Sequence, residues 1–295
     1  MMSPKKNILL RNIHGYGTKE KVAYVVQGIG AGAVTLVMLF PLYWMLVTSF
    51  KTGEVLLGHG IDLLPSFPIS FENFVEAWTR VPLDRYIFNT VITTAIAMTF
   101  KIGTGVLAAY GFSRESFPGC NALFYLILGA MMVPHQIIFI PIYLLCSKLG
   151  WINTYAGIVL PSLVAPHMIF MLRQAFKSVD QSYIDAGKLD GLGTLGIIRH
   201  VMVPMCKATL FTVGLNTFIS EWNVYFWPKI ITKSDEFRTI GIGLVRLRDS
   251  FTGEDIWAHT NVTMAGAVIT MIPGVILFCI FQKYMLTGYS KTAMK

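Results

Sequence analysis

The segment Asp180-Gln-Ser-Tyr-Ile-Asp185-Ala-Gly-Lys-Leu-Asp190-Gly-Leu-Gly-Thr-Leu-Gly-Ile-Ile-Arg-His200-Val-Met-Val-Pro204 decides how the chain is read. It is the longest charged stretch outside the two termini and the outer loops, and it lies between two strongly apolar blocks. A polar, partly helical piece is therefore held at a membrane face. About 30 residues is long for a simple connection between helices. Ile184, Leu189, Leu192 and Leu195 are apolar while Asp185, Lys188 and Asp190 are polar, which suits a short amphipathic helix. Gly191, Gly193 and Gly196 can end that helix and let the chain turn. Pro204 suits the first turn of the following span. Spacing alone leaves a plain surface connector and a functional loop equally open.

The composition explains why a membrane is invoked. Of 295 residues, 54% are hydrophobic and 14% charged, with mean hydropathy +0.58. Soluble domains carry about 25% charged residues. The net charge of +8 is read first as loop lysines and arginines that fix orientation. Nucleic-acid binding is disfavoured, because the basic residues form no patch with interleaved aromatics. Cys120, Cys146, Cys206 and Cys279 are scattered and read as packing residues. No cleavable signal peptide is expected, since the polar N-terminal tail is long and the first apolar run exceeds an h-region.

Runs of roughly 20 apolar residues mark the spans. The chain divides into a cytoplasmic N-terminal tail (1–21), a first transmembrane helix (22–50), an outer loop (51–85), a core of five transmembrane helices (86–282) and a cytoplasmic C-terminal tail (283–295). Within the core the expected spans are Tyr86 to Phe112, one inside Ser116 to Ser147, Leu149 to Leu172, Ala208 to Pro228 and Ile256 to Gln282. Ser70-Phe-Glu-Asn73 predicts the cap of a short surface helix in the outer loop. The fold class is all-α, a polytopic protein with six transmembrane helices. Six spans put both termini on one side, and the five positive charges before the first span make that side cytoplasmic. The inner segments hold 14 Lys or Arg against 9 in the outer ones.

The segment 180–204 resembles the cytoplasmic loop signature of ATP-binding-cassette importer permeases. That signature is Glu-Ala-Ala, three residues, Gly, nine residues, Ile, any residue, Leu-Pro. Asp185, Ala186 and Gly187 stand for Glu-Ala-Ala, Gly191 is the signature glycine, and Val201, Val203 and Pro204 fall on its Ile, Leu and Pro. Asp190 with Gly191 matches the Asp-Gly usual in the sugar branch. Gly187 for Ala costs the helix ~1 kcal/mol. The maltose-type sugar permeases are resembled further at Pro41-Leu-Tyr-Trp44, Asn89-Thr90, Ala109-Tyr-Gly-Phe-Ser-Arg114 with Phe117-Pro-Gly119, Met131-Met-Val-Pro134, Ile140-Pro-Ile-Tyr143, Asn153-Thr154 and Trp222-Asn223. Their order and spacing carry the resemblance over nearly the whole chain.

The resemblance implies a type I importer permease fold in the cytoplasmic (inner) membrane of a prokaryote. It implies a cytoplasmic coupling helix in loop 177–204, in which Asp185, Ala186, Gly187, Asp190 and Gly191 dock into a cleft on an ATPase subunit. The implied partners are two ATPase subunits, a second homologous permease subunit and an external solute-binding protein. The implied solute is a sugar or oligosaccharide, with an acidic sugar or glycerol phosphate as the alternative. A bulky residue at Gly191 is expected to uncouple transport from ATP hydrolysis. The tail Leu286-Thr-Gly288-Tyr-Ser-Lys291 resembles the end that reaches the ATPase interface in that family, and the outer loop 229–255 corresponds to the one that meets the binding protein.

Other signals are weaker. Gly191-Leu-Gly193-Thr-Leu-Gly196 is formally a dinucleotide fingerprint but lacks the βαβ unit such a site needs. No G-x-x-x-x-G-K-[ST] occurs, so a partner supplies P-loop ATP binding. No catalytic residue, metal cluster or cofactor is expected, and His135 and His167 read as bonded packing residues. Lys101 and Glu221 fall inside spans, where charges are costly and face the bundle interior. At 1.5 Å per residue their depths differ by about 8 Å, so pairing is open. Asn216, Glu221, Trp222 and Asn223 are candidates to line a solute path, since an aromatic face stacks on a sugar and an amide bonds its hydroxyls. An ion pair with an interfacial Trp is the structural alternative. An ion-coupled secondary transporter is the rival class, and it leaves the 185–204 spacing without an explanation.

Overall fold

The computed structural model describes residues 18–52, 63–65, 67–251 and 259–292. The expected tails outside those bounds, and the side chains of 135–136 and 281–292, including those of the C-terminal motif, lie outside the described residues. What is described is helical, with no strand, so the glycine-rich 191–196 has no βαβ unit around it among the described residues.

Three helices are long and apolar enough to cross a membrane: α1 (Thr18–Ser49), α3 (Leu83–Arg114) and α13 (Thr260–Thr292). Between α1 and α3 lies the short α2 (Glu72–Arg80). Ser70 Oγ accepts from Glu72 N–H at 3.2 Å at its start, and Glu76 pairs with Arg80 one turn on at 3.0 Å. Asn73 and Ala77 face inward. The second span starts at Leu83 and not at Tyr86, so its first turn lies in the expected outer loop.

The other expected spans are not continuous. The stretch 116–147 divides into α4 (Cys120–Met131) and α5 (His135–Lys148). Pro134 stands between them in extended conformation, because proline cannot supply the N–H that a continuing helix requires. The fourth divides into α6 (Tyr155–Val159), closed by a 3-10 turn to Ser162, and α7 (Pro166–Lys177), with a 43° bend between the two halves. Two helices follow, α8 (Gln181–Leu189) and α9 (Thr194–Met205), the latter with a π-helical turn at Ile198–Met202. α9 meets the run Lys207–Ile231 at 86°. That run holds α10 (Lys207–Trp222) and α11 (Phe226–Ile231), and α12 (Ile240–Asp249) precedes the last helix.

α3 lies along α7 and α10, α13 packs on α10 and α12, and α1 lies against α13. Three apolar clusters tie these together. One joins α3, α7, α8, α9 and α10 through Tyr110, Met168, Leu172, Phe176, Ile184 and Met202. A second, around Ala77, Tyr86, Leu247 and Val262, joins α2, α3, α12 and α13. The third, around Ala97, Cys146, Ile158 and Ile231, joins α3, α5, α6 and α11. None of the four cysteines forms a disulfide; Cys146 and Cys206 are buried, and Cys279 is exposed.

Candidate functional site

Asp180 begins the signature segment by capping α8, its Oδ1 accepting from Ser182 N–H at 2.9 Å. Bonds to Ser182 hold its carboxyl below the usual carboxylate range. The other end of α8 is closed by a complete Schellman motif. Leu192 N–H reaches the Gly187 carbonyl at 2.9 Å and Gly191 N–H the Lys188 carbonyl at 3.0 Å. Gly191 sits at φ +80°, a conformation that costs a residue with a Cβ about 1 kcal/mol. A Cβ there would meet nothing within 4 Å. A bulky residue at Gly191 therefore acts through the turn, or through whatever covers it, and not through a clash inside the chain.

Gly187 behaves differently. It is buried, and a Cβ would stand 3.4 Å from Val201 Cγ2 and 3.5 Å from Leu192 Cδ1, ordinary contacts that alanine tolerates. The expected apolar face is split. Ile184 is buried in the inner cluster with Leu192 packed near it, but Leu189 is 90% and Leu195 70% exposed. Asp185, Ala186, Asp190 and Gly191 are exposed beside them. Gln181 Nε2 donates to Asp185 Oδ1 at 3.0 Å. Of the signature positions, Asp185, Ala186, Asp190 and Gly191 are thus exposed, whereas Gly187 is buried and Val201 and Val203 pack against the bundle.

In the spans, Lys101 and Glu221 form a direct ion pair with side chains only 9% and 18% exposed. The 8 Å offset in depth presumes straight, parallel helices, whereas α10 follows a sharp bend. Of the remaining candidates, Trp222 turns away from the pair's neighbours on α10. Its indole N–H donates to the Thr270 carbonyl of α13 at 3.2 Å, and its ring stacks on Phe218. Asn216 and Asn223 are exposed, with Ser220 between them on the same helical face. Asn223 Nδ2 is bonded to the Ile219 carbonyl at 2.8 Å. The structure therefore divides the four candidates between an inward set (Glu221, Trp222) and an outward polar face (Asn216, Asn223). His167, expected to be a bonded packing residue, has a buried Nε2 without a hydrogen-bond partner.

Several residues gain roles that sequence reasoning missed. Asn89, fully buried, donates to the carbonyls of Glu236 and Arg238 at 2.9 and 2.8 Å and accepts from Tyr155 Oη at 2.7 Å. Thr90 Oγ1 accepts from Ile240 N–H at 2.8 Å. Asn153 Oδ1 accepts from the backbone N–H groups of Lys233 and Ser234. Asp235 accepts from Tyr86 Oη, Arg238 and Arg246 at 2.6, 2.6 and 2.5 Å. Arg173 donates to the Phe112 carbonyl and lies over the Phe124 ring. The Asn89-Thr90 and Asn153-Thr154 pairs were the available signal, since polar pairs inside or beside apolar runs need partners.

Residues 101–290 match the family model described as the binding-protein-dependent transport system inner membrane component. Among similar proteins is the arabinooligosaccharides transport system permease protein AraQ of Halalkalibacterium halodurans, 29% identical over 90% of this chain and 95% of that one. The probable ABC transporter permease protein YurM of Bacillus subtilis is 32% identical over 88% of this chain and 85% of that one. The sn-glycerol-3-phosphate transport system permease protein UgpE of Rhizobium meliloti is 27% identical over 87% and 92%. A crystal structure of a bacterial ABC transporter involved in the import of the acidic polysaccharide alginate shares the fold, with TM-score 0.81 at 23% identity over 91% of this chain and 98% of that one. The chain belongs to the family of binding-protein-dependent transport system inner membrane components, as a multi-pass permease that leaves ATP hydrolysis to a separate subunit.

Proposed function

We propose that this chain is one of two permease subunits that carry a sugar or oligosaccharide inward by alternating access, powered by two ATPase subunits and fed by an external solute-binding protein. In this reading the chain has six spans, with each broken pair counted as one, and both termini are cytoplasmic. α8 is the coupling helix. The observation that carries the proposal is the surface of α8 and the turn into α9, where Leu189 and Leu195 stand exposed with Asp185 and Asp190. Leu189 at the end of α8, which already buries Ile184, and Leu195 at the start of α9 are left open together; they suit a partner's apolar cleft, and the acids suit basic groups at its rim.

The resemblance to the arabinooligosaccharide permease supports a neutral sugar chain as solute, and the resemblances to the glycerol-phosphate and alginate systems support an anion. The Lys101–Glu221 pair favours the first. A lysine already neutralised by a carboxylate offers no net positive charge to an anion. Asn216, Ser220 and Asn223 would then face the path with amides and a hydroxyl suited to sugar hydroxyls.

A gentle detergent purification from the native membrane, with co-purifying chains identified and ATPase activity assayed, tests the reading. A P-loop ATPase and a second permease in stoichiometric amounts are expected. Recovery of this chain alone, active in ion-driven uptake without nucleotide, would remove the basis for the proposal.

A further inference from the structure

One guanidinium ties the last turn of α3 to the start of α8. Arg114 donates to the carbonyls of Phe176 and Val179, and its Nη1 donates to Gln181 Oε1 at 3.1 Å. Phe176 lies in the last turn of α7, where its carbonyl also accepts from Val179 N–H at 3.2 Å, and Val179 precedes α8, so the guanidinium holds the carbonyls of the turn that joins the two helices. Gln181 passes the contact to Asp185. Arg173 of α7 adds a second tie, to the Phe112 carbonyl at 2.9 Å.

From Arg114, α3 runs back 32 residues without a proline, about 48 Å. Its opposite end is held as firmly. Tyr86, Asn89 and Thr90 bond Asp235, the carbonyls of Glu236 and Arg238, and the N–H of Ile240. The neighbouring spans are interrupted at 132–134, near 163–165 and at 206. An interrupted helix can absorb a displacement at its break, whereas a continuous one anchored at both ends carries it as a rigid body.

We propose that α3 is the rod that joins α8 mechanically to the outer loop 233–240, with Arg114 and Gln181 as the positioning residues that make α3 follow α8. This rests on the docking role given to α8 above. A capping role alone would have Arg114 stabilise the inner face and leave the far end of α3 indifferent to nucleotide.

Hydrogen–deuterium exchange on the assembled complex separates the two. Backbone exchange in 233–240 would be compared without nucleotide and after trapping with ATP and vanadate. The wild-type complex should show a nucleotide-dependent change in that loop. Arg114→Gln should lose at least half of it while basal ATP hydrolysis is kept, Gln181→Ala should lose at least half of it too, and Arg114→Lys should recover part. A full nucleotide-dependent change in a correctly assembled Arg114→Gln complex would overturn the rod alone. If Arg114→Gln does not assemble, the exposed Gln181→Ala decides: a full change there overturns the proposal and a halved one supports it. Absence of any bound ATPase would overturn the docking role of α8, and the rod with it.

Discussion

Two charged regions of this molecule are built on opposite plans. Lys101 and Glu221 close on each other between α3 and α10, with little of either side chain exposed. Asp185, Lys188 and Asp190 on α8 face outward, next to two exposed leucines. The first arrangement satisfies charge internally and therefore bears on stability. The second leaves charge and apolar area together at the surface, the arrangement on which the proposed docking rests. A charged residue in a transmembrane sequence is thus no guide to function until its partner is known.

The sharpest way to break this contrast is to remove one member of the buried pair. Glu221→Gln leaves the Lys101 ammonium buried and uncompensated, and should cost about 3–5 kcal/mol of stability. Combining it with Lys101→Met should recover much of that loss. Thermal unfolding of the two variants beside wild type in detergent checks both; a Glu221→Gln variant as stable as wild type would show that the pair is solvated. The reverse is expected on α8. Asp185→Arg should lower ATP-linked uptake by at least tenfold, about 1.4 kcal/mol, with unfolding changed by no more than about 0.5 kcal/mol. Lost uptake with equally lost stability would make α8 a structural element.

Smaller effects sharpen the picture of α8. Gly191→Ala should cost about 1 kcal/mol through its left-handed backbone, and Gly191→Leu the same, since space is open at that Cβ. Uptake that falls much further in the leucine variant than in the alanine variant would mark a partner pressed against the turn. Gly187→Ala should raise stability by about 0.4–1 kcal/mol, because the added methyl makes ordinary contacts. Least of all, Asp180 has a folded pKa held below its unfolded one by Ser182. Its cap therefore contributes fully above the unfolded pKa and is lost as pH falls through the folded one. Acid titration of α8 helicity should accordingly show a slight loss that Asp180→Asn removes.

Much of this was legible in the sequence because the signals are local. Uncharged runs long enough to span, the charges before the first of them, the Ser70 cap and the spacing from Asp185 to Pro204 all depend on neighbours in the chain. Where the sequence led astray, distance along the chain was the reason. The stretches 116–147 and 149–172 read as continuous because apolarity is blind to helix direction; the prolines mark where breaks can fall, and packing decides whether they do. Trp222 was grouped with Asn223 by adjacency, yet consecutive residues on a helix stand about 100° apart, and one faces α13 while the other faces out.

By itself, then, the sequence determined the membrane class, the family and the long apolar helices at 22–49, 83–114 and 260–280, since each is set by composition or spacing within one stretch. Only the tertiary structure decided that Lys101 meets Glu221, that Arg114 reaches α7 and α8, that Asp235 gathers Tyr86, Arg238 and Arg246, and that Leu189 and Leu195 remain uncovered. Those facts turn on which helix faces converge from positions up to 149 residues apart. Convergence of that kind is a property of the packed bundle, which no local period in the chain encodes.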